Sequence, residues 1–126
     1  MRNSAQPPRM VKDLMTFDVQ TLLPTDTVDD ARDRMLVGAI NAIPIVAADG
    51  QTVGMVTSHD LVDEWEADTP LSACMSLSVV TIESTASVVE AAQLMRAELI
   101  HHLVVTDSGQ AVGVLSTFDL LDALTE

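Results

Sequence analysis

The feature that most limits the fold of this chain is an internal repeat, in which one half of the sequence recurs at an offset of 60 residues. Self-similarity at a fixed period indicates a duplicated unit. Fifteen positions carry the same residue in both halves once a single residue is dropped near Ala47 and Ala48. That deletion precedes a turn, where changes of length are tolerated. The copies span about residues 11–65 and 71–124, and their shared pairs include Met15/Met75, Val28/Val88, Ala31/Ala91, Gly54/Gly113 and Asp60/Asp119.

Each copy begins with a predicted short strand and a capped helix. The strands cover residues 19–22 and 79–82. Thr27-x-x-Asp30 and Ser87-x-x-Glu90 are capping-box patterns, in which a hydroxyl and a carboxylate satisfy free amides at the start of a helix. Apolar residues spaced by three and four positions then predict one buried helix face in each copy, formed by Val28, Ala31 and Met35 and by Val88, Ala91 and Met95.

Two apolar runs follow in each copy, separated by a turn. Residues 42–46 and 53–57 flank Asp49-Gly50, and residues 103–106 and 112–116 flank Ser108-Gly109. Such runs around a glycine turn predict a β-hairpin. A last helix is predicted in both copies, carrying Leu61, Val62 and Trp65 in the first and Leu120, Leu121 and Leu124 in the second.

The element order is therefore strand, helix, strand, strand, helix, twice, which is an α+β fold. About 55 residues per copy are too few to bury both faces of a three-stranded sheet well. We expect the copies to pack sheet against sheet with pseudo-two-fold symmetry, leaving the helices outside and a ligand cleft at the join. The predicted division is a flexible tail at 1–9, a first domain at 10–66, an acidic joint at 67–70 and a second domain at 71–126.

The distribution of charge excludes some functions. Six Lys and Arg stand against 19 Asp and Glu, and residues 13–126 alone carry −16. A nucleic-acid binder needs a basic surface and usually aromatic stacking platforms, whereas this chain has three aromatic residues. No secretory signal or membrane-length apolar run is visible, so we expect a cytoplasmic protein. The lone Cys74 has no cysteine partner for a disulfide or a zinc site, and it favours a buried apolar role.

One motif stands at the same place in both copies and has the chemistry of a nucleoside site. Gly54 to Asp60 and Gly113 to Asp119 read glycine, two apolar residues, Thr or Ser, two variable residues, Asp. Glycine allows close approach to the backbone, the hydroxyl beside free helix amides suits an anion, and a carboxylate accepts two hydrogen bonds from a ribose diol. Alternatively, Thr57 and Ser116 cap the helix and the aspartates complete the box, which spacing alone favours.

These motifs, together with Ile43-Pro44-Ile45-Val46 and the segments 53–61 and 112–120, resemble a tandem pair of CBS domains, a Bateman module. The resemblance covers about residues 10–125 and includes the lead-in segments 11–16 and 71–76 before each first strand. It implies two tandem β-α-β-β-α CBS repeats that serve as a sensor of AMP, ADP, ATP or S-adenosylmethionine rather than as an enzyme, with no required cofactor.

The resemblance also implies roles for individual residues. Asp60 and Asp119 would hold ribose hydroxyls, with Thr57 and Ser116 beside the ribose or phosphate. The second copy departs from the family pattern at Val104, where proline is usual. His59 and His102 are candidate neighbours of a phosphate, although an ordinary packed histidine remains the more common case for His102. The adenine would lie against Val19, Ile43 and Pro44 in the first copy and Val79, Leu103 and Val104 in the second.

Three classes of function remain to be compared. The first is a regulatory module that binds an adenosine-containing ligand, and the strongly anionic fold favours AMP, adenosine or S-adenosylmethionine over free ATP. The second is a structural dimerisation module without a ligand. An enzyme is the least favoured, because no nucleophile-base pair and no metal-ligand spacing is visible. We expect a homodimer through the outer helices and a regulated protein acting in trans. Trp65 suits a dimer contact and packing within the chain equally well.

Overall fold

The computed structural model describes residues 9–16 and 20–124. Two short 3-10 turns, Val11–Asp13 and Leu71–Ala73, open the two copies. The first copy continues with α1 (Val28–Gly38), β1 (Ala42–Val46) and β2 (Thr52–Thr57). The second continues with β3 (Thr81–Glu83), α2 (Val88–Glu98), β4 (His102–Asp107), β5 (Gln110–Ser116) and α3 (Thr117–Leu124).

Helices α1 and α2 begin at the predicted caps. The Thr27 hydroxyl accepts a hydrogen bond from the Asp30 amide, and the Asp30 carboxylate accepts one from the Thr27 amide at 2.9 Å. At α2 one arm of the predicted box is present: the Ser87 hydroxyl accepts from the Glu90 amide at 3.0 Å. Free amides in the first turn of each helix find further acceptors in the short segments that lead into the two copies. Val28 N–H donates to the Thr69 carbonyl, before the second copy, and Val88 N–H donates to the Arg9 carbonyl, before the first. Each segment that precedes one copy thus caps a helix of the other.

The hairpins are also confirmed. Strands β1 and β2 pair antiparallel, as do β4 and β5, and both turns contain a glycine with positive φ, Gly50 at 88° and Gly109 at 82°. In the second copy β3 adds a parallel strand to β4. The first predicted strand is reduced in the described residues to one bridge, in which Leu22 pairs with Ile45, and residues 17–19 lie outside the described part.

The predicted last helix of the first copy is wrong. Residues 58–62 form successive turns in place of a helix, whereas the matching residues of the second copy form α3. The indole of Trp65 donates to the Asp60 carbonyl at 2.9 Å, which occupies the acceptor that a helix would offer to Glu64. Acidic residues at 63, 64, 66 and 68 would also stand at the negative end of such a helix, where they are unfavourable.

The two lead-in segments are exchanged between the copies. Val11 and Met15 are buried in the core of the second copy, whereas Leu71 is buried in the core of the first. Ser76 exchanges two backbone hydrogen bonds with Met55 of β2, and the Thr16 amide donates to Val114 of β5. Each copy therefore completes its core with residues that belong, in sequence, to the other.

This exchange explains the glycine of the repeated motif. A Cβ on Gly54 would lie 2.7 Å from the sulfur of Met75, and one on Gly113 would lie 2.7 Å from the sulfur of Met15. Both distances are well inside van der Waals contact. The close approach anticipated at these glycines is therefore made by the lead-in of the opposite copy.

The sheets of the two copies face each other, as predicted. Ala42, Met55 and Val104 form a buried cluster between them, with Val79 and Val114 packed against it. The helices lie outside this layer. Within residues 9–16 and 20–124, the structure has no helix with the length and apolarity needed to cross a membrane.

Candidate functional site

A cavity of about 340 Å³ opens between the two copies. One wall is the end of α1 and the following segment, residues 38–42, together with Gln20. The opposite wall consists of His102, Val114, Ser116 and Asp119 of the second copy, with Thr16 of the lead-in that pairs with Val114. The volume is near the lower end of the range for small-molecule sites, about 300 to 1,000 Å³. A ligand here would contact both copies at once.

Ser116 and Asp119 form a reciprocal pair at the start of α3, on the wall of this cavity. The Ser116 amide donates to Asp119 Oδ2 at 2.8 Å, and the Asp119 amide donates to Ser116 Oγ at 3.2 Å. The box engages Oδ2, while Oδ1 takes no part in it. The side chain of Asp119 is half-buried and lines the cavity. Helix capping and ligand binding are therefore compatible at this residue.

Thr57 and Asp60 form a related but more closed pair in the first copy. Asp60 Oδ2 accepts from the Thr57 amide at 2.8 Å and from the Thr57 hydroxyl at 3.1 Å. The Thr57 hydroxyl in turn accepts from the Asp60 amide at 3.3 Å. The hydroxyl proton of Thr57 is thus used within the box, unlike that of Ser116. His59, in the same turn, is exposed.

His102 is the titratable base of the cavity. It begins β4 opposite Ser116 and is half-buried. Burial, reinforced by the neighbouring His101, holds the pKa of His102 below its usual value, and the nearby Asp119 only partly opposes this shift. The imidazole is therefore mainly uncharged near neutral pH. His101 is exposed, with its Nδ1 3.4 Å from the Thr117 hydroxyl.

The predicted adenine walls lie deeper than the cavity. Ile43 and Leu103 are fully buried in the separate cores of the two copies. Pro44 is fully buried, and Val104 lies between the sheets with Val79 packed nearby. Val19 falls outside the described residues. Of the predicted site residues, the cavity brings together His102, Ser116 and Asp119.

The cavity wall from the first copy was not predicted from the sequence. Gln20, Asn41 and the backbone at the end of α1 line the cavity because the copies pack face to face. Ala39 there has a left-handed φ of 52°, which ends the helix and turns the chain into β1. The one available signal was the polar Asn41 directly before an apolar strand, and it is weak.

The charges around the cavity are few. Asp119 is the one acid among its described lining residues, and none of these is Lys or Arg. The end of α1 adds the partial negative charge of a helix C-terminus. A guanidinium lies just behind, where Arg34 Nη1 donates to Gln20 Oε1 at 3.0 Å. No cluster of three or more His, Cys, Asp or Glu suited to a metal occurs among the residues that the structure describes.

The fold and the cavity define a class of protein, a tandem pair of α+β repeats that face each other and enclose a cavity at their join. The chain belongs to the CBS domain family, whose sequence model matches residues 11–67 and 71–126. It is 34% identical to the CBS domain-containing protein YhcV of Bacillus subtilis, over 87% of this chain and 81% of that protein.

Two solved structures show the same fold. The CBS domain pair of protein MJ0100, in complex with 5′-methylthioadenosine and S-adenosylmethionine, has a TM-score of 0.85 at 24% identity and covers 94% of this chain and 98% of its own. CBSX2, in complex with AMP, has a TM-score of 0.77 at 21% identity, with coverage of 92% and 96%.

Proposed function

We propose that this chain is a regulatory module that binds AMP, adenosine or S-adenosylmethionine, in preference to free ATP, in the cleft between its two CBS repeats. The observation that carries the proposal is the cavity itself, which sets Ser116, Asp119 and His102 of the second copy against the first copy. The MJ0100 and CBSX2 complexes support an adenosine-containing ligand.

The residues around the cavity suit the parts of a nucleoside. Asp119 Oδ1, outside the capping box, is an acceptor for ribose hydroxyls, and the Ser116 hydroxyl is a donor beside it. Ile40, Ala42 and Val114 offer apolar surface to a base. A long polyphosphate would meet the acid, the helix C-terminus and the −16 charge of residues 13–126. Because these negative charges repel further phosphates, we expect a ligand of low negative charge to bind more tightly than free ATP.

The position of the cavity suits a sensor. Because both copies line it, a ligand favours the relative arrangement of the copies that it binds most tightly. Leu36 and Val37, 82% and 89% exposed, directly precede the cavity wall, and Phe118 on α3 is 69% exposed. Such apolar helix surface is where we place a homodimer contact or a regulated protein in trans. We place the module in the cytoplasm, a reducing compartment in which a lone Cys74 remains a thiol.

We propose no catalytic role for the residues around the cavity or for Cys74, the chain's single thiol, which lies away from it. The Sγ of Cys74 is 3.6 Å from the Leu71 carbonyl oxygen, and burial raises the pKa of the thiol. A protonated thiol is a weak nucleophile. The proposed activity is binding and regulation.

Thermal unfolding with adenosine, AMP, S-adenosylmethionine and ATP at millimolar levels tests the proposal. A ligand present at 100 times its dissociation constant adds about 2.7 kcal/mol to the free energy of unfolding. Asp119→Asn should remove most of this stabilisation, while the control Asp68→Asn, an exposed acid outside the cavity, should keep it. A melting temperature that none of the four ligands changes would contradict the proposal.

A structural dimerisation module without a ligand is the second candidate, and the capping boxes at Asp60 and Asp119 favour it. In that case Asp60→Asn and Asp119→Asn each lower stability by about 1 kcal/mol or less, and no ligand response exists to be lost. The same melting experiments therefore separate the two candidates.

A further inference from the structure

We propose that Arg34 is a specificity-determining residue of the cavity, whose guanidinium moves from Gln20 to a phosphate of the bound ligand and so selects a nucleoside monophosphate over the nucleoside. This inference rests on the proposed function and names the ligand class more narrowly.

The placement of Arg34 is the first observation. It lies on α1, exposed, and its Nη1 donates to Gln20 Oε1 at 3.0 Å. Gln20 itself lines the cavity. The guanidinium is thus one side chain away from the ligand space, on a side chain long enough to turn inward.

The bond that holds Arg34 is easily exchanged. Gln20 offers a neutral amide oxygen, while a phosphate offers a charged acceptor that a guanidinium binds with two parallel hydrogen bonds. Asp30, one helical turn earlier, also interacts with Arg34 through charge. That pair is at the surface, where solvent and salt weaken it. A phosphate at the cavity rim is therefore the stronger partner.

The rest of the cavity offers a phosphate little help. Asp119 is negative, the end of α1 carries partial negative charge, and the described lining contains no Lys or Arg. His102 is mainly uncharged near neutral pH, because burial lowers its pKa. A monophosphate should therefore depend on Arg34, whereas an uncharged nucleoside should not. A single guanidinium also suits one phosphate better than three.

Calorimetric titration of the full chain with AMP and with adenosine tests this inference. For Arg34→Gln we expect AMP affinity to fall about tenfold while adenosine affinity stays within about twofold. Arg34→Lys should restore part of the loss, since lysine keeps the charge without the planar pair of donors. The control Arg96→Gln, which removes an exposed arginine from α2, should leave the ratio of the two affinities unchanged.

Salt provides an independent measure. Raising the salt concentration should weaken AMP binding to the parent chain more than to Arg34→Gln. Only the parent has the ion pair between the Arg34 guanidinium and the phosphate, and salt screens such a pair at the surface. Substitution of an exposed arginine changes stability by about 0.5 kcal/mol or less, so the variants should fold.

The possible outcomes separate this inference from the proposed function. If the parent chain binds adenosine but Arg34→Gln shifts both affinities equally, or neither, the role of Arg34 is overturned and the proposed function stands. The same holds if the parent binds AMP no more tightly than adenosine. If the parent binds S-adenosylmethionine but neither AMP nor adenosine, the role of Arg34 is overturned and the proposed function stands. If it binds none of the three, both are overturned.

Discussion

At the scale of single residues, two helix ends are held in a conformation that their side chains disfavour. Ala39 and Leu99 follow α1 and α2 with φ of 52° and 55°. A residue with a Cβ pays about 1 to 2 kcal/mol in this left-handed region, and glycine is the usual choice there. The helices end at these positions because the chain must turn at once into β1 and β4.

Replacing Leu99 by glycine should therefore stabilise the protein by about 1 kcal/mol. Leu99 is 87% exposed, so the change removes little buried surface. The matched control is Leu36→Gly, at a position 82% exposed but inside α1, which should destabilise by about 1 kcal/mol. Urea unfolding measures both. Equal destabilisation by the two substitutions would contradict the account of the helix end.

His102 should make stability depend on pH in a defined window. Its pKa in the folded chain lies below the ordinary value of 6.5. Between these two values the unfolded chain binds more protons than the folded chain, so acidification from pH 7 through 6.5 lowers the free energy of unfolding. His102→Gln should remove this part of the pH dependence. Urea unfolding at several pH values checks it, and an unchanged slope in the variant would contradict it.

At the scale of elements, local signals predicted what local interactions decide. The capping box at Thr27 and the hydroxyl cap at Ser87 start α1 and α2, and the glycine turns at Gly50 and Gly109 close the hairpins, as expected from sequence. The helix expected after β2 does not form, because the indole of Trp65 donates to the Asp60 carbonyl, which would be a backbone acceptor in that helix. The first-copy wall of the cavity was missed because Gln20 reaches it through tertiary packing, which no local pattern encodes.

The turn that replaces this helix should depend on the indole of Trp65. Trp65→Phe keeps an aromatic ring but removes the donor to the Asp60 carbonyl. We expect a loss of about 1 kcal/mol, the usual value of one hydrogen bond. Phe118→Leu, at a side chain 69% exposed on α3, is the control and should have little effect. The urea midpoint measures both changes, and a Trp65→Phe protein as stable as the parent would show that the turn forms without this bond.

At the scale of the whole molecule, each copy depends on a lead-in segment of the other to complete its core. Val11 is fully buried and Met15 is 8% exposed, both in the core of the second copy, and Leu71 is fully buried in that of the first. The division of the sequence into two domains at 67–70 therefore does not divide the cores. Communication between the copies, which the proposed function requires, has a structural basis in this exchange.

Cutting the chain in the joint tests this interdependence. The fragment 67–126 lacks the Val11 and Met15 side chains that complete its core, and losing even one buried aliphatic side chain costs about 2 to 5 kcal/mol. With a total stability of about 5 to 15 kcal/mol for a whole domain, such a fragment should not fold alone. Fragment 1–66, without Leu71, should fail for the same reason.

Mixing the two fragments should restore a cooperative thermal transition followed by circular dichroism, because each supplies the segment that the other lacks. Gly113→Ala in the second fragment should weaken this complementation, since its Cβ would meet the Met15 sulfur at 2.7 Å and the Thr16 carbonyl at 2.8 Å. Gly109→Ala is a useful comparison, because among the residues that the structure describes no atom beyond the adjacent residues lies within 4 Å of such a Cβ, and the cost comes from the positive φ of 82°. A fragment 67–126 that melts by itself at the temperature of the intact chain would show that the exchanged segments are dispensable, and the copies would then be independent domains.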